Sequence, residues 1–202
     1  MMKDEKKKKI KKGTLYLVRT AVIAALYFVL TIVAAPIAYG PLQFRIGEAL
    51  TLLPIIFPSA VPGLALGCFL ANIFSPYAWA DMVFGTLATL SASLITNAIG
   101  NALRQKSLVI RGLVGAIPPI LINAFALPLI WVLLEVDFAY WINFGQIVAT
   151  QIGTILIVGL PLMLAIARTP LVDEKVRLHK DKKIAQEDVD NSDSEQAEPK
   201  EF

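Results

Sequence analysis

Charge is scarce in the middle of this chain. Between Thr14 and Arg168 the acids are Glu48, Asp81, Glu135 and Asp137, and the bases are Arg19, Arg45, Arg104, Lys106, Arg111 and Arg168. The whole chain is 17% charged and 56% hydrophobic, and much of the charge lies in its two tails. A soluble domain has no need of such long uncharged runs, whereas a helix that crosses the hydrocarbon core needs roughly 20 apolar residues. Cysteine is limited to Cys68, inside an apolar run, which excludes a disulfide framework and any cysteine metal-ligand spacing. Histidine is limited to His179 in the polar tail, so zinc sites and Cys/His nucleophile chemistry are poorly supplied. There is no phosphate-binding glycine loop, no HExxH and no paired-aspartate motif, and Ser91 and Ser93 lack a histidine partner. Neither a catalytic set, a metal nor a cofactor is therefore expected. The net charge of +3 is no argument for nucleic acid, because the bases lie near helix ends as the positive-inside rule requires.

What is present is a series of apolar runs punctuated by proline and glycine. They predict helices over about 14–36, 45–57, 60–75, 81–103, 108–134 and 141–168. The expectation is an all-α integral membrane protein of about six transmembrane helices with both termini cytoplasmic. A basic cytoplasmic segment, 1–13, would precede a transmembrane domain over 14–168. A polar cytoplasmic tail, 169–202, has too little apolar content to pack and is expected to be disordered. The first apolar stretch is too long for a signal-peptide core and reads as a retained helix. The composition suggests a multi-pass protein of a bacterial plasma membrane. The second and third helices are short, and charge sorting does not separate two short spans from a re-entrant hairpin.

The polar residues inside these runs are the candidates for function. A charge at the bilayer centre costs at least about 2.5–3.5 kcal/mol. On this threading all four acids and Arg45 fall at the face opposite the termini. Glu48 is the deepest acid, and Arg45 precedes it by three residues; an internal ion pair and a ligand role are both open. Amides in hydrocarbon usually join helices, and Asn97 and Asn101 read that way. Asn72, Asn143, Gln146 and Gln151 lie in the outer half. Asn123 sits between Pro118-Pro119 and Pro128, where a broken helix could line a cavity. Trp79, Trp131 and Trp141 map near the outer face, where an interfacial belt is favoured over ligand contact. Ala21 and Ala25, four apart, let a second helix approach the first closely.

Three stretches carry a family resemblance: Gln43-Phe-Arg-Ile-Gly-Glu-Ala-Leu-Thr-Leu-Leu-Pro54, Pro58-Ser-Ala-Val-Pro-Gly-Leu-Ala-Leu-Gly-Cys-Phe-Leu-Ala-Asn72 and Asp81-Met-Val-Phe-Gly-Thr-Leu-Ala-Thr-Leu90. They resemble the queuosine-precursor transporter family, substrate-binding (S) components of energy-coupling-factor transporters. The likeness covers roughly 14–168. It implies an S-component-like bundle that captures a deazaguanine-type small molecule at the outer face. It also implies partners: a transmembrane coupling (T) subunit and two ATPase subunits, with Ala21 and Ala25 facing the coupling subunit. For such a ligand, Glu48 is the first choice to accept the paired N–H donors of a guanine-type edge. Asn72, Asn123, Gln146 and Gln151 are candidates for the remaining polar edge, with Arg45 beside Glu48. Tyr77, Trp79, Trp131 and Trp141 are candidates for stacking, and Asp81 for neutralising an aminomethyl cation. The alternatives are an S component for another vitamin or nucleobase and, from a different class, an intramembrane enzyme.

The polar tail carries none of these candidates. Deleting residues 175–202 is expected to leave ligand affinity unchanged, as equilibrium binding to the truncated protein would show; a large loss of affinity would contradict the reading.

Overall fold

Apolar side chains on every face leave a helix no soluble surface. Four helices have that character and the length to cross a membrane: Lys12–Val33, Asp81–Ala102, Leu108–Leu133 and Tyr140–Ala167. In the computed structural model, residues 2–39, 44–75, 78–135, 137–169 and 172 are described. Within them no strand occurs, and six main helices follow in chain order. These are α1 (Met2–Val33), α2 (Ile46–Ile55, a 3-10 helix), α3 (Ala60–Asn72), α4 (Asp81–Ala102), α5 (Leu108–Leu133) and α6 (Tyr140–Ala167). The outward faces of α1, α4, α5 and α6 carry exposed Leu26, Leu87, Leu121 and Ile157 among other large apolar residues, as lipid-facing surfaces do.

The helix boundaries differ from expectation in two places. Helix α1 begins at Met2, so the lysine-rich segment continues the first helix rather than preceding it. It also stops at Val33, and Pro36 falls in the first turn of a separate short helix, Ala35–Ala38, where its missing N–H costs nothing. The expected turn at Gly40-Pro41 and the expected tail from residue 173 onward lie outside the described residues.

Helices α2 and α3 are short for physical reasons that also place them. Ten residues at a 3-10 rise of about 2.0 Å give α2 a length of about 20 Å. Thirteen residues at about 1.5 Å give α3 a similar length, some 10 Å short of a hydrocarbon core of about 30 Å. Every residue of α2 from Gly47 to Ile55 is buried. Irregular backbone at membrane depth survives where protein encloses it, and α2 packs against α1, α4, α5 and α6. The main core, with Tyr27, Leu52, Leu64, Ile155 and Met163, forms around it.

Side chains from other helices satisfy the C-terminal carbonyls of α2. Asn97 Nδ2 donates to the Pro54 carbonyl at 2.7 Å, and Arg111 Nη2 to the Ile55 carbonyl at 3.0 Å. Pro58 has no N–H to offer Pro54. Asn97 therefore acts structurally, as expected, and Asn101 donates to it at 3.2 Å. Helix α5 breaks at Ala116, just before Pro118-Pro119. Thr96 Oγ1 donates to the Gly115 carbonyl that Pro119 leaves without a backbone donor, at 2.9 Å.

Glycines set the close approaches. A Cβ at Gly67 would lie 2.7 Å from both the Ala24 carbonyl oxygen and Tyr27 Cβ, and one at Gly63 would lie 2.9 Å from the Thr20 carbonyl oxygen. Helix α3 thus presents a glycine pair four apart to the backbone of α1. We expect Gly67→Ala to destabilise the protein by about 1–3 kcal/mol through overpacking. Gly145→Ala, with nothing within 4 Å of the new carbon, should be neutral or slightly stabilising. Thermal unfolding of both variants in detergent checks the contrast.

Candidate functional site

A carboxylate inside a membrane protein needs donors, and Glu48 has them from three other helices. The side chain is only 2% exposed. Tyr27 Oη, from α1, donates to Oε1 at 2.5 Å, and Asn123 Nδ2, from α5, donates to Oε2 at 3.4 Å. The amide of Gln151, from α6, also reaches the carboxylate, and its Oε1 is buried with no hydrogen-bond partner. An ionised carboxylate offers about four acceptor positions, so Glu48 keeps acceptor capacity beyond these contacts. Three expected site residues, Glu48, Asn123 and Gln151, therefore meet at one place.

Local folding explains the convergence. Residues Ile23, Ala24, Tyr27, Thr31 and Ala34 form the buried stripe of α1 at helical spacing. On α5, Asn123, Leu127 and Trp131 follow at four-residue steps, and on α6 Asn143, Ile147 and Gln151 do the same; all six are buried. These two faces pack on each other, and Trp131 joins Ala124, Leu127 and Ile147 in a small core of its own. The eight residues from Asn123 to Trp131 correspond to about 12 Å along the helix.

Arg45 departs from expectation. Its ion pair is with Asp81 rather than Glu48: Nη2 lies 3.5 Å from Asp81 Oδ2. Three residues of separation aligns two side chains only within an α-helix. Arg45 instead stands in extended backbone just before α2, with φ −92° and ψ 105°. The Arg45 guanidinium also lies over the Tyr39 ring, 5.6 Å from its centroid. Asp81, at the start of α4, is 1% exposed. Its Oδ2 accepts from Ser75 Oγ at 2.5 Å, and its carbonyl accepts from Asn72 Nδ2 at 2.7 Å. Asn72 Nδ2 also reaches Cys68 Sγ at 3.4 Å, and Thr89 Oγ1 reaches the same sulfur at 3.3 Å. Asp81 and Asn72 thus form a second polar group with Arg45.

The remaining candidates lie elsewhere. Trp79 and Trp141 are 62% and 74% exposed, and their rings meet Phe84 in one case and Tyr140 and Phe144 in the other. That placement suits a belt better than a pocket. Gln146 is half-buried, with its Oε1 buried and without a partner. Asn143 donates to Asp137 Oδ2 at 2.8 Å, and the Ala139 amide donates to Asp137 Oδ1 at 2.8 Å. Those two donors, the backbone amide first, hold the Asp137 carboxyl below its usual range, and Asp137 ties the segment before α6 to Asn143 on that helix. Ala21 and Ala25 are exposed on α1. Tyr77 lies outside the described residues. Sequence reasoning missed Tyr27, the shortest contact of Glu48; the available signal was a tyrosine at helical spacing from Ala24 and Thr31.

The buried ion pair yields a stability test. Arg45→Met strands Asp81 as an unpaired buried charge and should cost about 3–5 kcal/mol. The double variant Arg45→Met with Asp81→Asn should lose less than Arg45→Met alone. Unfolding midpoints in detergent check this; losses that simply add would show the two side chains to be independent.

Comparison with known proteins bears on all of this. The family model described as QueT transporter matches residues 17–168. A protein of Lactococcus lactis subsp. cremoris (strain MG1363) named "Queuosine precursor transporter QueT" is 36% identical over 84 residues. That match takes in 40% of this chain and 49% of the relative, so the chain spans about half the length of the curated relative it matches. No solved structure gives a significant match. The matched segment runs from the middle of α1 to the end of α6 and includes both polar groups, and the chain belongs to the QueT transporter family.

Proposed function

We propose that this chain is the substrate-capture subunit of an energy-coupling-factor transporter that imports a queuosine precursor, a deazaguanine-type base. On this reading residues 14–168 form a six-span substrate-binding domain with both termini cytoplasmic in a bacterial plasma membrane. The relative's name supplies the substrate class, and the chemistry of the buried site suits it. A guanine-type edge presents adjacent N–H donors, and the acceptor position that Glu48 keeps takes one of them. Tyr27 and Asn123 hold Glu48 in place, and the unpartnered Oε1 of Gln151 is one more acceptor beside it. The single observation that carries the proposal is this carboxylate, enclosed where four helices meet.

The chain supplies no phosphate-binding loop, so ATP hydrolysis belongs to partner ATPases joined through a coupling subunit. Ala21 and Ala25, small and exposed on α1, are the proposed contact with that subunit, because small residues admit a close helix crossing. Trp79 and Trp141 would anchor the bundle at the membrane surface.

Equilibrium binding of deazaguanine bases to the purified protein tests the assignment. A hydrogen bond to a charged group is worth about 1.5–3 kcal/mol, so Glu48→Gln should weaken binding by roughly 10- to 100-fold. Asn97→Ala, at the far end of α2, should leave affinity unchanged while lowering stability. Binding that survives Glu48→Gln undiminished would remove Glu48 from the pocket.

A further inference from the structure

Helix α1 is longer than the stretch of it that crosses the membrane. The apolar span begins at Lys12, and Leu15, Tyr16, Leu17 and Val18 are exposed, as lipid-facing residues are. The helix itself starts at Met2. About ten residues, some 15 Å of helix, therefore project beyond the hydrocarbon. They hold Lys3, Lys6, Lys7, Lys8, Lys9 and Lys11, with Lys12 at the boundary, against Asp4 and Glu5. Seven bases less two acids leave a formal charge of +5.

A helix so charged needs anions beside it. Lys3, Lys7 and Lys11 follow at four-residue steps, as do Lys8 and Lys12, and like charges at that spacing destabilise a helix. The spacings Asp4 to Lys8 and Glu5 to Lys9 are favourable, but they offset only two of the seven bases. The bundle does not supply the rest. Thr20 Oγ1 donates to the Ser59 carbonyl, and Asn97 and Arg111 reach the Pro54 and Ile55 carbonyls. This end of the bundle is thus built from the turn between α2 and α3, the end of α4 and the start of α5. Between Lys6 and Val172 the acids are Glu48 and Asp81, both buried, and Glu135 and Asp137, at the opposite end. Arg104, Lys106 and Arg168 are exposed at the near end and add positive charge.

The placement of the lysines around the helix identifies the occupant. At about 100° per residue, Lys6, Lys7, Lys8, Lys9, Lys11 and Lys12 encircle the axis and leave no gap wider than about 100°. Ile10 falls in that gap. A helix that docks on a protein uses one stripe of its surface, whereas lipid headgroups surround a membrane helix on every side. The six lysines span about 9 Å of rise, within a Debye length of about 10 Å at 0.1 M salt. Basic clusters of this kind beside a membrane span are drawn to anionic lipid. We propose that residues 6–12 form a collar on α1 that binds the anionic headgroups of phospholipids in the adjacent leaflet. Those headgroups hold the projecting helix together and fix the depth of α1, the helix that carries Tyr27. The collar requires only that α1 crosses a bilayer, and it is independent of the ligand.

The experiment places the full-length protein in nanodiscs of phosphatidylcholine alone and of phosphatidylcholine mixed with phosphatidylglycerol. Amide hydrogen exchange is followed over residues 6–12, whose N–H groups are the first in α1 with helical acceptors. At low salt, exchange there should be at least about tenfold slower with the anionic lipid, and about 1 M salt should remove most of the difference. Exchange over residues 20–30, inside the span, should be the same in both and serves as the control. Lysine-to-glutamine replacement at positions 6, 7, 8, 9, 11 and 12 should abolish the lipid dependence; the wild-type comparison decides by itself if that variant fails to insert. Equal wild-type exchange in the two bilayers at low salt overturns the proposal, as does a lipid dependence that survives in the glutamine variant. The rival occupant within the chain is its tail, with seven acids from Glu187 to Glu201 against Lys200. Slow exchange in phosphatidylcholine that becomes fast on deletion of residues 175–202 would assign the collar to that tail and overturn the lipid reading.

Discussion

Enclosing a carboxylate within a membrane bundle is the constraint on which the rest of this structure depends. Glu48 has no access to bulk water to stabilise its charge, so neighbouring helices must bring donors to it. Tyr27, Asn123 and Gln151 do so from α1, α5 and α6. Each contact fixes the rotation of its helix, because a helix turned by one residue would carry its donor away by about 100°. The acid therefore specifies how the bundle assembles as well as what it could bind.

That arrangement requires a helix too short to span the bilayer to sit at the centre of helices that are long enough. Small residues permit it. Gly47 meets the Tyr27 carbonyl, Gly159 meets the Ala49 carbonyl, and Gly100 meets Ile55, all at distances that leave no room for a Cβ. The backbone groups that such a helix would strand are taken up by Asn97 and Arg111. Placing polar side chains at the ends and middle of α2 is costly in hydrocarbon, and each is offset by a defined partner. Buried oxygens on Thr31, Asn72, Asp81, Thr86, Gln146 and Gln151 make no hydrogen bond among the described residues.

Much of this was legible in the sequence. Apolar runs and their proline and glycine punctuation place six helices close to where they occur, and the scarcity of charge singles out Glu48 and Asp81. Asn97 reads as structural from its position alone, and so it is used. Pairing was less legible. Spacing favoured Arg45 with Glu48, but that inference assumes helical backbone, and Arg45 lies one residue outside the helix in extended conformation. Tyr27 was hidden because an aromatic residue in an apolar run looks the same whether its hydroxyl is used or not. Trp131 could not be told from Trp79 and Trp141 either. All three fall near a helix end, yet only Trp131 faces the neighbouring helix, and rotation about the axis decides that.

The most direct measurement is a structure of the protein with a deazaguanine base bound. The account predicts the base between α1, α2, α5 and α6, with its N–H donors within about 2.6–3.2 Å of the Glu48 carboxylate and of Gln151 Oε1. A ligand seated instead at the exposed rings of Trp79 or Trp141, with the Tyr27–Glu48–Asn123 contacts closed beneath it, would contradict the central claim. Glu48 would then be a structural anchor and nothing more.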